Sequence, residues 1–481
     1  MTSMLLKVLF VSFPFFLQPI LGSASDHSGT SFIHFNFKDF LEVISLANYN
    51  TRLVILSTSI LGIASGSIGS FLLLRKRSLI GDAISHACLP GIGIAFLIMT
   101  ALGNTGKFLP GLLLGASISG FVGVLVVMAI RNTTKLKDDA AMGIVLSIFF
   151  GLGVALLRII TEIPGASAAG LESFIYGKTA SIVLYDFWLI SLVAILVTVA
   201  SFILLKEWTL LCFDSGYAAT QGWPVYALDL SLLVGITLVT VIGLQSVGLI
   251  LIIAFLIIPP SAARFWTENL KKMLIISSVL GGLSGWVGAT MSALFQNLPA
   301  GAVIVLVATT IFIFSMLFGT SRGLLIRFIK HTKLNRKIGR DHLMHSSYEV
   351  LEEMAMHENR MINNQKIKRS RLLQRRSWMD TELKSLIHTS KKNGLIERYT
   401  DEYILLGEAG FAEAARTTRN HRLWEMYLIE YAEVAPTNVD RGADLVEHVL
   451  GADIVRMLES KMKTSPYMYI PNPHSESEGL S

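Results

Sequence analysis

The chain is poor in cysteine and in charge. Its 481 residues include only two cysteines, Cys88 and Cys212, and 16% charged residues. Two cysteines without a CxxC partner exclude a disulfide framework and a thiolate metal cluster. The sequence has no GxxxxGK[ST] motif, so the phosphates of a nucleotide would have to be held by another subunit. It also has no HExxH motif, which an intramembrane metalloprotease would need.

What the chain has in excess is apolar sequence. Mean hydropathy is +0.56 and 52% of the residues are hydrophobic, more than a soluble chain of this length carries. Apolar runs long enough to cross about 30 Å of hydrocarbon recur before residue 320, and none follows Arg340. Nine spans are predicted, near residues 54–75, 84–101, 109–130, 140–160, 184–205, 228–244, 246–263, 273–294 and 301–318. We therefore expect an all-α polytopic membrane protein with about nine transmembrane helices.

The ends of the membrane domain set its orientation. Residues 1–25 resemble a secretory signal, with Lys7, a short apolar run and small residues at the expected cleavage position. An uncleaved first membrane helix is the alternative, and both place the following segment outside the cytoplasm. Lys and Arg concentrate in alternate loops and in the acid-free stretch 321–340 after the last span. The positive-inside rule then predicts a multi-pass protein with a periplasmic N-terminus and a cytoplasmic C-terminal domain.

One membrane segment carries unusual chemistry. Asp82 and His86 lie four residues apart, so on a helix they share a face and can offer oxygen and imidazole nitrogen to one divalent cation. Ionisable residues inside a span are costly unless they line a polar pathway. A helix cap at Asp82 with a packed His86 is the alternative. Three other acids, Glu172, Asp186 and Asp229, lie near span ends and are interpreted as interface anchors.

The segment around this pair resembles a known permease family. Residues 78–91 are similar to the signature of the ABC-3 membrane permeases, and the similarity continues through 137–145, 174–178 and 247–263. It covers residues 45–320. The resemblance implies a bacterial inner-membrane subunit that imports Fe2+, Mn2+ or Zn2+. It also implies three partners besides the lipid bilayer: a periplasmic metal-binding protein, a separate ABC ATPase that hydrolyses the ATP, and a second permease subunit, identical or related.

Residues 213–224, here called the coupling segment, resemble the part of such permeases that docks into the ATPase. Glycine and proline near its ends predict a short helix between two spans. A plain connecting loop is the alternative. The residues assigned to docking are Phe213, Asp214, Gly216, Gly222 and Pro224.

The second half of the chain has the order of a winged helix. Residues 381–393 show helical periodicity, Gly394 provides a stop, and residues 395–406 indicate two short strands about a turn. This order predicts a mainly α, cytoplasmic winged-helix domain over residues 341–481, joined by a basic linker over 321–340. The predicted recognition helix would contact DNA, with a merely solvated charged face as the alternative. Its candidate contacts are Lys384, Ser385, His388 and Lys391.

From residue 394 to residue 460 the chain resembles the metal-dependent repressors of the diphtheria-toxin-repressor and manganese-transport-regulator family. The similarity includes two clusters with helical spacing, one at residues 421–425 and one at residues 444–448. Mixed nitrogen and oxygen ligands suit a first-row divalent metal. The resemblance implies a corepressor site, and the candidate ligands are His421, Glu425, Asp444, Glu447 and His448, with His342 and His345 from a preceding helix.

Together these features predict a permease for a divalent metal fused to a metal-responsive repressor that binds operator DNA. A membrane-tethered metal sensor that no longer transports is the alternative. Because a repressor tethered to the membrane reaches the chromosome with difficulty, we also expect proteolysis in the basic linker to release the soluble half.

Overall fold

The structure, a computed structural model, describes residues 47–103, 108–162, 177, 179–295, 298–359, 361–376, 378–431 and 452–461. The chain divides into two compact units, Met1–Leu324 and Leu325–Ser481. The signal-like segment 1–25 and three candidate metal ligands, Asp444, Glu447 and His448, lie outside the described residues.

Helices make up the described part of the first unit. They are α1 Tyr49–Leu74, α2 Ile80–Ala101, α3 Leu109–Thr133, α4 Asp138–Glu162, α5 Leu184–Ile203, α6 Leu205–Phe213, α7 Ser215–Thr220, α8 Val225–Val247, α9 Leu249–Arg264, α10 Leu270–Leu294 and α11 Ala300–Phe318, with one 3-10 turn, Thr179–Ser181. Nine of them coincide with the nine predicted apolar runs. Helix α1 is central, since 83% of its most apolar window is buried, whereas α4 and α11 are peripheral, with 22% buried.

Eight of these helices are long and apolar enough to cross a membrane, and α9 is the exception. Its 16 residues rise about 24 Å, less than the roughly 30 Å of hydrocarbon. Only Gly248, with φ of 86°, separates α8 from α9. A left-handed backbone at this position favours glycine, and the chain turns there without a loop.

Glycine and serine allow α1 to touch α10 along the backbone. A Cβ atom on Gly281 would lie 2.1 Å from the carbonyl oxygen of Gly62. The Ser277 hydroxyl donates to the Gly66 carbonyl oxygen at 2.7 Å, which adds a polar tie where the helices cross. In lipid, small residues with interhelical hydrogen bonds replace the hydrophobic effect as the source of helix association. This crossing therefore packs the central helix α1 closely against α10.

The second unit contains a small three-stranded sheet and several helices. Its described elements are α12 Leu324–Glu358, β1 Ile367–Lys368, α13 Arg369–Arg375, α14 Asp380–Lys392, β2 Ile396–Tyr399, β3 Tyr403–Leu406, α15 Glu408–Tyr431 and α16 Ala452–Lys461. The strands are antiparallel in the order β1-β3-β2. Gly394, with φ of 76°, ends the turn after α14 as predicted. The unit has its own buried apolar cluster, built on Leu343, Leu351, Leu383 and Ile404.

Helix α12 occupies most of residues 321–340, which were expected to form a basic linker. Most of the segment predicted as a basic linker is helical, because α12 begins at Leu324. The charged residues of this region mask a seven-residue repeat in which Leu343 and Met344 are followed by Val350 and Leu351, all buried. A repeat of seven keeps the same helix face toward the core. One face of α12 therefore contributes to the buried apolar cluster of the C-terminal unit.

Candidate metal sites and coupling segment

Asp82 and His86 form a polar pair on α2. Asp82 lies in the first helical turn, and its Oδ1 is 3.3 Å from Nε2 of His86. Both side chains stay accessible, at 29% and 18% exposure. The imidazole packs edge-on against the ring of Phe150 on α4, with 4.8 Å between ring centroids. The predicted pairing of these two residues on one helix face is therefore present.

The two ring nitrogens of His86 have different surroundings: Nε2 faces Asp82, and Nδ1 does not. Its Nδ1 atom is buried and has no hydrogen-bond partner within the part of the chain that the structure describes. An imidazole nitrogen beside a carboxylate is a donor set that first-row divalent cations accept. The pair supplies at most two side-chain ligands, so a bound ion would need others from water, from the backbone or from a neighbouring subunit.

The coupling segment forms a short helix that is exposed on its aromatic side. Asp214 caps α7, since its Oδ1 accepts a hydrogen bond from the Tyr217 amide at 2.8 Å. Gly222, with φ of 80°, makes the turn after α7, and Pro224 caps α8. Gly216 lies in the first turn of α7.

Aromatic side chains dominate the free surface of this segment. Phe213, Tyr217 and Trp223 are exposed, as is Tyr226 just after the segment. Exposed aromatic residues of this kind are enriched in protein interfaces. The glycine and proline residues predicted the short helix, but they did not indicate which aromatic side chains are exposed.

In the second unit, three predicted ligands come together. The rings of His345 on α12 and His421 on α15 lie 4.4 Å apart, centroid to centroid. Nε2 of His421 is 3.4 Å from Oε1 of Glu425, one turn further along α15, and both side chains are almost fully buried, at 2% and 3% exposure. Nε2 of His345 is 3.6 Å from Oε1 of Glu349. Two imidazoles thus lie between two carboxylates.

Glu349 was missed by the sequence analysis, although it stands at the same four-residue spacing from His345 that identified the other pairs. Burial alone would raise the pKa of its carboxyl, but the hydrogen bond and charge of His345, aided by Arg375, outweigh that effect and lower this pKa to about 2. An ionised carboxylate is the form that binds a metal. His342, the remaining candidate on α12, is only partly buried.

The residues present fit a metal. Nδ1 of His345 is buried without a hydrogen-bond partner among the described residues, which is costly unless another group satisfies it. Nevertheless, nowhere in the described ranges do three His, Cys, Asp or Glu side chains already converge on one point. Asp444, Glu447 and His448 lie outside those ranges, so their part in the site stays a prediction.

The predicted recognition helix α14 presents its candidate residues on one side. Lys384, Ser385, His388 and Lys391 are exposed, while Leu383 lies on the buried face of the same helix. Nζ of Lys391 lies 5.0 Å above the ring centroid of Tyr399 in β2. A basic exposed helix beside a two-stranded wing has the arrangement of winged-helix DNA readers.

Comparison with known proteins agrees with the family resemblance predicted for each half of the chain. The family model of the ABC 3 transport family matches residues 48–319. The model described as iron dependent repressor, metal binding and dimerisation domain matches residues 407–467.

Individual relatives are similar to this chain over most of their own length. The manganese transport system membrane protein MntC of Bacillus subtilis is 37% identical over 83% of this chain and 88% of its own length. The zinc transport system membrane protein TroC of Treponema pallidum is 40% identical over 60% of this chain and 95% of its own length. A probable metal transport system membrane protein of Chlamydia trachomatis is 25% identical over 87% of this chain and 94% of its own length.

Among solved structures, PsaBC from Streptococcus pneumoniae in complex with Fab matches with a TM-score of 0.52 and 29% identity, over 62% of this chain and 100% of that chain. A family model that spans more than half of the chain and relatives of this similarity lead to one conclusion. The chain belongs to the ABC 3 transport family and carries a C-terminal iron-dependent repressor domain.

Proposed function

We propose that this chain is the permease subunit of an ATP-driven importer for a divalent transition metal, and that its C-terminal domain is a metal-responsive, DNA-binding repressor. Relatives named for manganese and zinc transport favour Mn2+ or Zn2+ as the substrate, and the repressor domain adds Fe2+ as a candidate. The observation that carries the transport proposal is the accessible Asp82–His86 pair inside an apolar helix.

The proposed setting is the bacterial inner membrane, with the C-terminal domain in the cytoplasm. A periplasmic metal-binding protein would deliver the ion, a second permease subunit would complete the pathway, and a separate ABC ATPase would dock on the coupling segment. ATP-driven closure would then alternate the access of the Asp82–His86 pair between the two sides of the membrane. The proposed domain limits are those predicted from the sequence, except that the linker is largely part of α12.

Metal uptake by cells that express the chain with its ATPase and metal-binding protein tests the transport proposal. We expect His86→Gln to lower uptake roughly tenfold or more, as the loss of a metal-site group does. His331→Gln, on an exposed histidine of α12, is the matched control and keeps full uptake. Equal uptake by both variants would remove His86 from the pathway.

For the C-terminal domain, His345, His421, Glu349 and Glu425 are the described residues that would hold the corepressor metal. A bound metal would fix α12 against α15 and so stabilise the DNA-binding form, because a ligand stabilises the state that it binds. Operator DNA would lie along α14.

DNA binding by the purified full chain, with its own upstream region as the probe and at fixed salt, tests this half. We expect Mn2+, Zn2+ or Fe2+ to promote sequence-specific binding in the wild type and to have no effect on His421→Gln. Binding that ignores both metal and sequence would reject the repressor assignment. Specific binding without any metal uptake would support the alternative, a tethered sensor that no longer transports.

We further propose that proteolysis can release the C-terminal domain. The helical state of residues 324–340 disfavours cleavage there, because proteases require an extended chain. The turn before Leu324 is the better candidate. Immunoblots of cells with an antibody against the C-terminus would show a shorter fragment, and only full-length protein would contradict release.

A further inference from the structure

The cytoplasmic end of the membrane unit contains a buried carboxylate held by three arginines. Asp229, in the second turn of α8, is only 2% exposed. Its oxygens lie 3.3 Å from Nη2 of Arg75, 3.1 Å from Nη1 of Arg77 and 2.9 Å from Nη1 of Arg131. These arginines follow α1, precede α2 and end α3, so one side chain connects four spans. We call these four residues the Asp229 hub.

Arg75 joins the hub to both ends of the coupling segment. Its Nη1 donates to the carbonyl oxygen of Leu211, just before the segment, at 3.1 Å. Its Nη2 contacts Asp229, which follows Pro224 at the end of the segment by five residues. A single guanidinium therefore closes the loop that contains α7, and a planar group with several donors holds both contacts in a fixed geometry.

Helix α6, which leads into the coupling segment, is fixed by two further contacts of one residue. The ring of Trp208 packs edge-on against Phe71 of α1, with 5.1 Å between centroids. Its Nε1 donates to the hydroxyl of Ser231 on α8 at 3.1 Å. The base of the coupling segment is thus packed against α1 and α8.

Arg77 connects the hub to the helix that carries the candidate transport site. Its carbonyl oxygen accepts the first hydrogen bond of the turn into α2, from the Ile80 amide at 3.0 Å. Its Nε donates to Oδ2 of Asp138, at the start of α4, at 2.6 Å. From Ile80, His86 is six residues further along α2, which is about 9 Å of helical rise.

The charges of this region make Asp229 its critical member. Three arginines face two carboxylates, those of Asp229 and Asp138. Loss of the Asp229 charge would leave three guanidiniums around a buried, neutral side chain. Loss of Arg131 would leave two arginines against two carboxylates, and a buried group of charges tolerates a balanced change better than an unbalanced one.

From this geometry we propose that Asp229 is a positioning residue that couples the coupling segment to α2. Displacement of α7 by the ATPase moves Arg75 and Asp229 together, and Arg77 transfers this movement to the helix of Asp82 and His86. The inference rests on the proposed transport function and names the contacts that connect its two sites. Asp229 touches neither the metal nor the ATPase in this scheme.

The test uses the complete complex of chain, ATPase and metal-binding protein in proteoliposomes, and it measures metal transported per ATP hydrolysed. We expect Asp229→Asn to keep ATP hydrolysis but to lower this ratio roughly tenfold, the scale of a typical coupling energy between sites. Asp229→Glu, which keeps the charge, restores much of the ratio. Arg158→Gln, on an arginine that is 77% exposed, is the matched control and leaves the ratio unchanged.

Other outcomes of this experiment distinguish failure of the coupling role of Asp229 from failure of the proposed transport function. A merely structural role would lower the amount of protein, ATP hydrolysis and transport in parallel, and an unchanged ratio would overturn the coupling role. If Asp229→Asn fails to assemble, Arg131→Gln decides, since it keeps the charges balanced and is expected to lower the ratio by a smaller factor. A wild-type complex that hydrolyses ATP without moving metal would overturn the transport function, and the coupling role with it.

Discussion

Replacement of Glu352 by glutamine should destabilise the C-terminal unit. Glu352 on α12 and Arg422 on α15 form a bidentate pair, in which Nη1 donates to Oε1 at 3.0 Å and Nη2 donates to Oε2. Their side chains are 6% and 3% exposed. The pair joins the same two helices that supply His345 and His421.

The size of the expected destabilisation follows from the burial of the Glu352–Arg422 pair. Removing one partner of a buried ion pair leaves an uncompensated charge and costs about 3–5 kcal/mol. A domain has about 5–15 kcal/mol of stability in total. In a unit of this size, 1 kcal/mol corresponds to about 2–4 °C. Glu352→Gln should therefore lower the midpoint of thermal unfolding of the C-terminal unit by roughly 10 °C.

Hydrogen exchange of the full chain in detergent can measure the corresponding loss of about 3–5 kcal/mol of stability, because amides of α12 and α15 report the C-terminal unit separately from the membrane spans. Asp453→Asn is the matched control: Asp453 also pairs with an arginine, Arg456, but both side chains are exposed. Such a surface pair contributes about 0–1 kcal/mol. The double variant Glu352→Met/Arg422→Met should recover much of the protection. Equal protection in Glu352→Gln and Asp453→Asn would refute the argument.

Two further predictions concern one unit each. Gly281→Leu should separate α1 from α10 and lower the thermal stability of the membrane unit in detergent, since even a Cβ atom would meet the Gly62 carbonyl oxygen, whereas Gly143→Leu, with open space at that position, should not. In the C-terminal unit, the hydrogen bond from Arg416 lowers the pKa of Glu413 below its ordinary value of 4.5. A carboxyl with a depressed pKa stabilises the fold above 4.5 and loses that contribution as pH falls below it. The free energy of unfolding should therefore fall slightly less steeply as the pH is lowered below 4.5 in Glu413→Gln than in the wild type. An equal slope in both proteins would contradict this.

Local patterns in the sequence were sufficient for most of the fold. Hydropathy located all nine apolar helices because each buries or exposes a continuous apolar surface in lipid, independently of its neighbours. The helix, stop and hairpin at residues 380–406 were predictable for a similar reason, since Gly394 and the alternating strands act locally. The length of α9 was less predictable, because Gly248 ends one helix and begins the next without any polar loop.

Contacts between distant residues were not predictable in this way. Asp229 was interpreted as an interface anchor, whereas its carboxylate is buried among arginines that stand up to 154 positions away in the chain. Nothing in the sequence near Asp229 indicates those partners. Glu349 is the opposite case, since its four-residue spacing from His345 is visible in the sequence.

Two histidine–carboxylate pairs, Asp82–His86 in the membrane unit and His421–Glu425 in the C-terminal unit, use the same helical spacing in different surroundings. The difference agrees with the roles proposed for them. Asp82 and His86 remain accessible on α2, while His421 and Glu425 are almost completely enclosed between α15 and α12. An ion in transit must leave its site, so ligands that stay open to a pathway favour release. A sensing site must convert binding into stability of one conformation, and ligands buried between two helices do so because the metal can bind only when those helices are together.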